Sequence, residues 1–356
     1  MSKKYGVSST GLIAPIIKEG DDITQIVCDT VLNAIDNIED RDIIGITESV
    51  VARAQGNYVT VDEVAEDIRK KMGEPKNILV YFPIYSRNRF AMILKAIARA
   101  AKEEVCIVVS ERDYVGNVLN NHPFTGMNYD EYYSNIVNGE GKTCYVQKWN
   151  ESSSGFDGWF RIYAGSIHDY DNSFKYLQES DTSLLEICQD KCDEGLLGSN
   201  KATEEKLKLF PSHKFAQEVV EGIQAYLYGK TGKKVEVMVY GDGCFKDPVG
   251  GIWEFADPVV SPAFTKGLVG TPNELKLKYL ADNDFKDLSG EALTNAIKEK
   301  IKTKDANLVG QMASQGTTPR RLTDLLGSLM DLTSGSGDRG TPIVYVKRYF
   351  NNLASD

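Results

Sequence analysis

The 356-residue chain carries 41 Lys and Arg against 51 Asp and Glu, giving a formal net charge of −10. That balance excludes a general nucleic-acid binder, which needs a basic face, and leaves room for an anionic nucleotide held locally with a divalent metal. At 42% apolar content the chain can bury the cores of roughly two or three domains.

The N-terminal stretch up to Asp22 has no apolar run long enough for a signal peptide, and no later run approaches a membrane span. A cytoplasmic protein with reduced thiols is the expectation. Residues 5–17 read as an extended segment interrupted by Gly11 and Pro15. Asp22 is the expected N-cap of a helix with Ile23, Ile26, Val27, Val31 and Ile35 on its apolar face. Residues 42–47 read as a short buried strand leading into Glu48 and the segment up to Gly56. Residues 60–72 read as an amphipathic helix closed near Gly73. A strand over 78–83, the basic residues Arg87, Arg89 and Lys95, a helix over 90–101 and a strand over 106–109 follow. Alternating strands and helices of this kind indicate α/β or α+β architecture.

From Glu111 to about Glu194 the composition shifts to Tyr, Asn, Asp, Ser and Gly, with His122 and His168 inside it. This stretch reads as an inserted subdomain or lid over residues 111–194, between the two parts, 1–110 and 195–356, of one discontinuous domain. A compact structural insertion and a surface for a small molecule or partner are both open readings. Cys188 and Cys192 lie four apart on a predicted helix, without the CxxC pair or histidines of a zinc site.

A helix over 215–228 precedes Val235, Val237 and Val239, which alternate as a strand and run into Gly241-Asp242-Gly243. An uncrowded carboxylate between glycines at a strand end is either a tight turn or a ligand for metal or phosphate. Alone, these residues favour the turn. Helices are expected over 274–280, 291–301 and 323–330, and a closing strand over 341–346.

Gly141-Lys142-Thr143 and Gly229-Lys230-Thr231 imitate the tail of a phosphate loop. The glycine required five residues earlier is Ile136 in one case and Gln224 in the other, so both read as turns. There is no GxSxG elbow and no HExxH.

As an ordered set, several segments resemble the coenzyme F420-0:γ-glutamyl ligases. Ala14-Pro15-Ile16-Ile17 through Gly20-Asp21-Asp22-Ile23 is similar to that family's opening LPxIxxGDDL. Thr47 to Gly56 resembles its TxxVSKAEG segment, with Arg53 in the place of the lysine. Gly195-Leu196-Leu197-Gly198-Ser199-Asn200 is similar to GVDxSN, followed by Leu207-Lys208-Leu209-Phe210-Pro211 and a helix. Val239 to Gly243 resembles the strand that ends in a metal aspartate, and Leu329-Met330 and Gly340 to Arg348 resemble the closing boxes.

The resemblance implies an α+β fold with mixed sheets and flanking helices, an intertwined homodimer, and GTP-dependent amide formation, ATP not being excluded. It places Ala14, Pro15, Ile16, Ile17, Glu48, Ser49, Arg53 and Asn200 against the nucleotide and makes Asp242 a ligand of Mg2+ or Mn2+. It further implies a small-molecule carboxylate acceptor and glutamate or another amine. Three places depart from the pattern. The metal aspartate of the GVDxSN box falls on Leu197, the threonine after Asp242 is Gly243, and the acidic ligand near the closing LMG box has no clean counterpart in the longer loop Asp331-Leu332-Thr333-Ser334. Asp193, Glu194, Asp247 and Asp331 are the substitutes within reach in sequence. The alternative expectation is a ligase-inactive homologue that binds a nucleotide or metabolite.

Overall fold

The computed structural model describes residues 6–81, 87–109, 121, 126–148, 156–164, 181–241, 244–246, 253–255, 261–308, 310–314, 321–335 and 337–355. In chain order the elements begin β1 (Ser8–Leu12), α1 (Ile23–Ala34), β2 (Ile43–Thr47), α2 (Glu48–Gln55), β3 (Tyr58–Thr60), α3 (Val61–Met72), β4 (Asn77–Tyr81), α4 (Arg87–Ala100) and β5 (Glu104–Val109). They continue with α5 (Tyr129–Gly139), β6 (Thr143–Lys148), β7 (Phe160–Tyr163), β8 (Thr182–Ser183), β9 (Ser199–Thr203), β10 (Lys206–Leu209), α6 (His213–Thr231) and β11 (Glu236–Tyr240). The last are β12 (Cys244–Lys246), β13 (Trp253–Phe255), β14 (Ala263–Phe264), α7 (Leu277–Tyr279), α8 (Gly290–Lys302), α9 (Leu322–Ser334) and β15 (Ile343–Lys347).

The apolar runs of β2, β11 and β15 are buried on both faces, and this builds the first core. They form a mixed sheet in the order β1-β15-β2-β11-β14, in which β2 and β11 run parallel and the other pairs antiparallel. Ile44, Ile46, Val237 and Val239 pack with Val27 and Val31 of α1 and Val220 and Ile223 of α6. Ile43, Met238, Tyr240 and Val344 pack on the opposite side with Leu326 and Met330 of α9. Period-2 alternation sends neighbouring residues to opposite faces, so a strand apolar at every position needs helices on both sides. Local signals match: the Asp22 side chain caps α1 by accepting from the Gln25 N–H at 3.0 Å, and Thr60 and Glu63 close a capping box on α3.

The second core is a parallel sheet in the order β6-β5-β4-β7-β8. Ile78, Val80, Val105, Ile107 and Ile162 pack with α3, α4 and α5. The same core takes in Leu196 and Leu197 and the inward residues Leu207 and Leu209 of an antiparallel sheet, β3-β10-β9. The fold is thus α+β with mixed sheets, as the sequence implies. Residues 110–120 lie outside the described residues, while strands β6 and β7, from within residues 111–194, pair directly with β5 and β4. Their short YV and RIY runs are masked in sequence by the polar residues around them.

Two local expectations are corrected. Residues 184–191, around Cys188, form successive turns, not a helix, and Cys188 itself has φ 61°. Gly229-Lys230-Thr231 is the last turn of α6, capped by Gly232 with φ 67°, and not a free turn.

Gly195 has a steric role in the second core. Its φ is +54°, and an added Cβ would lie 2.2 Å from the Leu185 carbonyl oxygen and 2.5 Å from that of Leu184. Both obstacles are backbone. Gly195→Ala is expected to lower stability by roughly 2–4 kcal/mol, the sum of positive-φ strain and overpacking, read as a fall in the urea midpoint at constant slope.

Candidate active site at the seam between the two cores

The chain leaves β2 at Thr47 and turns at once into α2. Val51, Ala52 and Ala54 bury the inner face of that helix, while Ser49 and Arg53 are exposed on one outer face, four residues apart. Glu48 opens the helix and is only 3% exposed. Its charge suits the positive end of the helix dipole, but that alone does not compensate a buried carboxylate.

The compensation comes from β10. Leu207 and Leu209 point into the second core, so alternation turns Lys208 to the opposite face of the strand. Lys208 is itself buried, and its Nζ lies 3.2 Å from each carboxylate oxygen of Glu48. Asn200 sits directly opposite Lys208 in the β9–β10 register, and its Nδ2 donates to Glu48 Oε1 at 3.5 Å. An acid from the first core thus meets a lysine and an amide from the second.

The Gly195–Asn200 segment is held from behind. Arg89 of α4 is buried and donates from Nη1 to the carbonyl oxygens of Leu197 (3.0 Å) and Ser199 (3.2 Å). Ser199 Oγ donates to the Leu196 carbonyl at 2.6 Å. Asn57 adds a tie at the seam, donating from Nδ2 to the carbonyl oxygens of Lys191 and Phe210 at 2.8 and 2.7 Å. These bonds fix the backbone that aims Asn200.

The opening and closing segments arrive at the same place. The Ala14 N–H donates to Gly340 O, and the Thr47 N–H donates to Pro342 O, both at 3.0 Å. The Gly20 N–H donates to Ala54 O at 2.9 Å, tying the end of the opening segment to α2. Pro15 and Ile16 are exposed, Ala14 is half-buried, and Ile17 is buried in the first core. Asp242 and Asp247 lie outside the described residues. β11 runs parallel to β2 with Tyr240 opposite Thr47, so Gly241 leaves the sheet at the edge where Glu48 begins α2.

The expected metal does not fit the described residues alone. Leu197, in the place of the second acid, is 1% exposed within an apolar core. Glu48 is engaged by Lys208. Asp193 and Glu194 are committed to His213: Asp193 accepts from its backbone N–H at 2.8 Å, and Glu194 pairs with its ring Nε2. No group of three or more His, Cys, Asp or Glu that could hold a metal occurs among the described residues.

A family model for F420-0:gamma-glutamyl ligase matches residues 11–348. The chain belongs to the F420-0:gamma-glutamyl ligase family. Comparison with individually curated proteins gives no match. Membership supports a ligase-type function and, with it, nucleotide and small-molecule substrates. No described helix is long and apolar enough to cross a membrane.

Sequence reasoning had marked Glu48 and Asn200, and the structure brings them together; Ser49 and Arg53 lie on the outward face of the same helix. It missed Lys208 and the anchoring role of Arg89. The available signal for Lys208 was a lysine between two leucines in a strand of alternating polar and apolar residues. The described cysteines are free thiols with no nucleophile's surroundings. Burial pushes Cys188 up to about 12, far from a thiolate at neutral pH.

His213 has its pKa raised above the ordinary 6.5, chiefly by its hydrogen bond to Glu194. The charged pair contributes stability that is complete below the unfolded-state pKa and is lost as pH rises through the higher folded-state value. Urea titrations from about pH 6 to about pH 9 should show wild-type stability falling across that window and His213→Gln falling less.

Proposed function

We propose that this chain joins a small-molecule carboxylate to the amine of glutamate or a similar amine at the expense of a nucleoside triphosphate, GTP in the first instance. The supporting observation is the contact of Glu48 with Asn200, with Ala14 bonded to Gly340 and Thr47 to Pro342, inside a chain that matches the ligase family from residue 11 to residue 348.

In this reading the acceptor carboxylate oxygen attacks the γ-phosphorus. An O–P bond forms, the bond to the nucleoside diphosphate oxygen breaks, and an acyl phosphate results. The amine nitrogen then attacks the acyl carbon. A C–N bond forms, the C–O bond to phosphate breaks, and the amine loses a proton. Asn200 offers an amide donor beside the reacting oxygens. Ser49 and Arg53 present a hydroxyl and a planar guanidinium from the exposed face of α2, suited to phosphate. Mg2+ or Mn2+ at Asp242 belongs to the same reading, and no step here is routed through it.

A homodimer also belongs to the proposal. It is supported by β1, which has no further strand beside it among the described residues, and by the exposed apolar side chains of Val7, Ile13 and Leu332. The free thiols accord with a cytoplasmic setting.

A second reading, a nucleotide- or metabolite-binding protein without ligase chemistry, is favoured by one observation: Leu197 is buried where the family pattern has an acid. Phosphate release from GTP or ATP, assayed with glutamate and a panel of carboxylates, separates the two. The ligase reading expects release that needs both the carboxylate and the amine, and a drop of at least about tenfold in kcat/KM for Glu48→Gln. Nucleotide binding with no release under any combination, Mg2+ and Mn2+ included, would leave the binding protein.

A further inference from the structure

The Glu48–Lys208 pair has a property that stability does not require. Lys208 stands between two core leucines, and a buried ion pair in such a place is seldom more stabilising than two packed apolar side chains. Its geometry leaves capacity unused. An ammonium has three N–H donors, and the two 3.2 Å contacts to Glu48 engage at most two of them. The carboxylate accepts from Asn200 as well, so one Lys208 N–H remains beyond the two contacts to Glu48.

We propose that Lys208 is a resident cation of the site, and that its remaining donor binds a phosphoryl oxygen of the nucleoside triphosphate. The inference rests on the ligase reading and extends it to a residue to which the resemblance gave no role. Its electrostatic logic is direct. Glu48 alone, buried beside Asn200, would repel an approaching phosphate through a medium that screens poorly. Paired with Lys208 it becomes neutral, and the ammonium adds a charge-assisted bond to the incoming anion. Leu197 removes one acid from the site and, with it, one reason for a metal there. The chain thereby supplies part of the positive charge itself.

Isothermal titration of the full-length protein with GTP, inorganic tripolyphosphate and guanosine, in EDTA and again with Mg2+, tests this. Wild type should bind GTP and tripolyphosphate. Lys208→Met should weaken both by about tenfold or more while guanosine binding stays the same, and Lys208→Arg should recover part of the loss. Lys208→Met leaves Glu48 buried without its partner, so the fold is checked by circular dichroism. If that variant does not fold, Glu48→Gln/Lys208→Met, which strands neither charge, compared with wild type makes the same measurement. Unchanged GTP affinity in the lysine-free protein overturns the proposal and leaves the ligase reading standing. Equal loss of GTP and guanosine overturns it too, since that marks general damage. A wild type that binds neither GTP nor ATP in any condition overturns the ligase reading and the inference together.

Discussion

A carboxylate that opens a helix at the meeting of two apolar cores has to be neutralised from outside its own core, and this constraint organises the protein. Glu48 is placed by the passage from β2 into α2, at the first turn of that helix. Lys208 and Asn200 reach it from β10 and β9, whose other faces belong to the second core. The ion pair joins residues 160 apart in sequence. Sites at such seams are common because two separately folded surfaces can converge there with polar groups that neither core would tolerate in its interior.

The second core is shaped to hold that convergence still. Its parallel sheet carries α4, and α4 carries Arg89, whose guanidinium grips two carbonyl oxygens of the segment that ends in Asn200. Gly195 allows the same segment to pass within van der Waals limits of three backbone oxygens. Ser199 and Asn57 satisfy further carbonyls. A polar side chain aimed by this many backbone anchors is preorganised, and preorganised donors are the ones that add to binding and catalysis.

Much of the scaffold was legible in the chain because its signals are local. The Ile43–Thr47 strand announces itself as an apolar run and Glu236–Tyr240 by its alternating valines, and Asp22 and Gly73 mark helix ends through backbone geometry a few residues away. Strands β6 and β7 were hidden because each is short and flanked by polar, aromatic sequence, and what makes them strands is their pairing with β5 and β4. Cys188 shows the opposite failure: a four-residue spacing suggests a helix, while the chain there takes a left-handed residue and a run of turns to enter the Gly195 segment.

For the site, the sequence by itself determined the order of the boxes, the family, and the candidacy of Glu48 and Asn200. These follow from residue types at fixed local positions, which any folded form of the chain must retain. Only the tertiary structure decided that Glu48 is buried, that Lys208 is its counter-ion, and that Asp193 and Glu194 are already engaged by His213. The physical reason is the range of the interaction. Periodicity and capping act over one or two turns, whereas the partner of a buried charge is whatever residue the packing of two distant segments brings within about 3 Å.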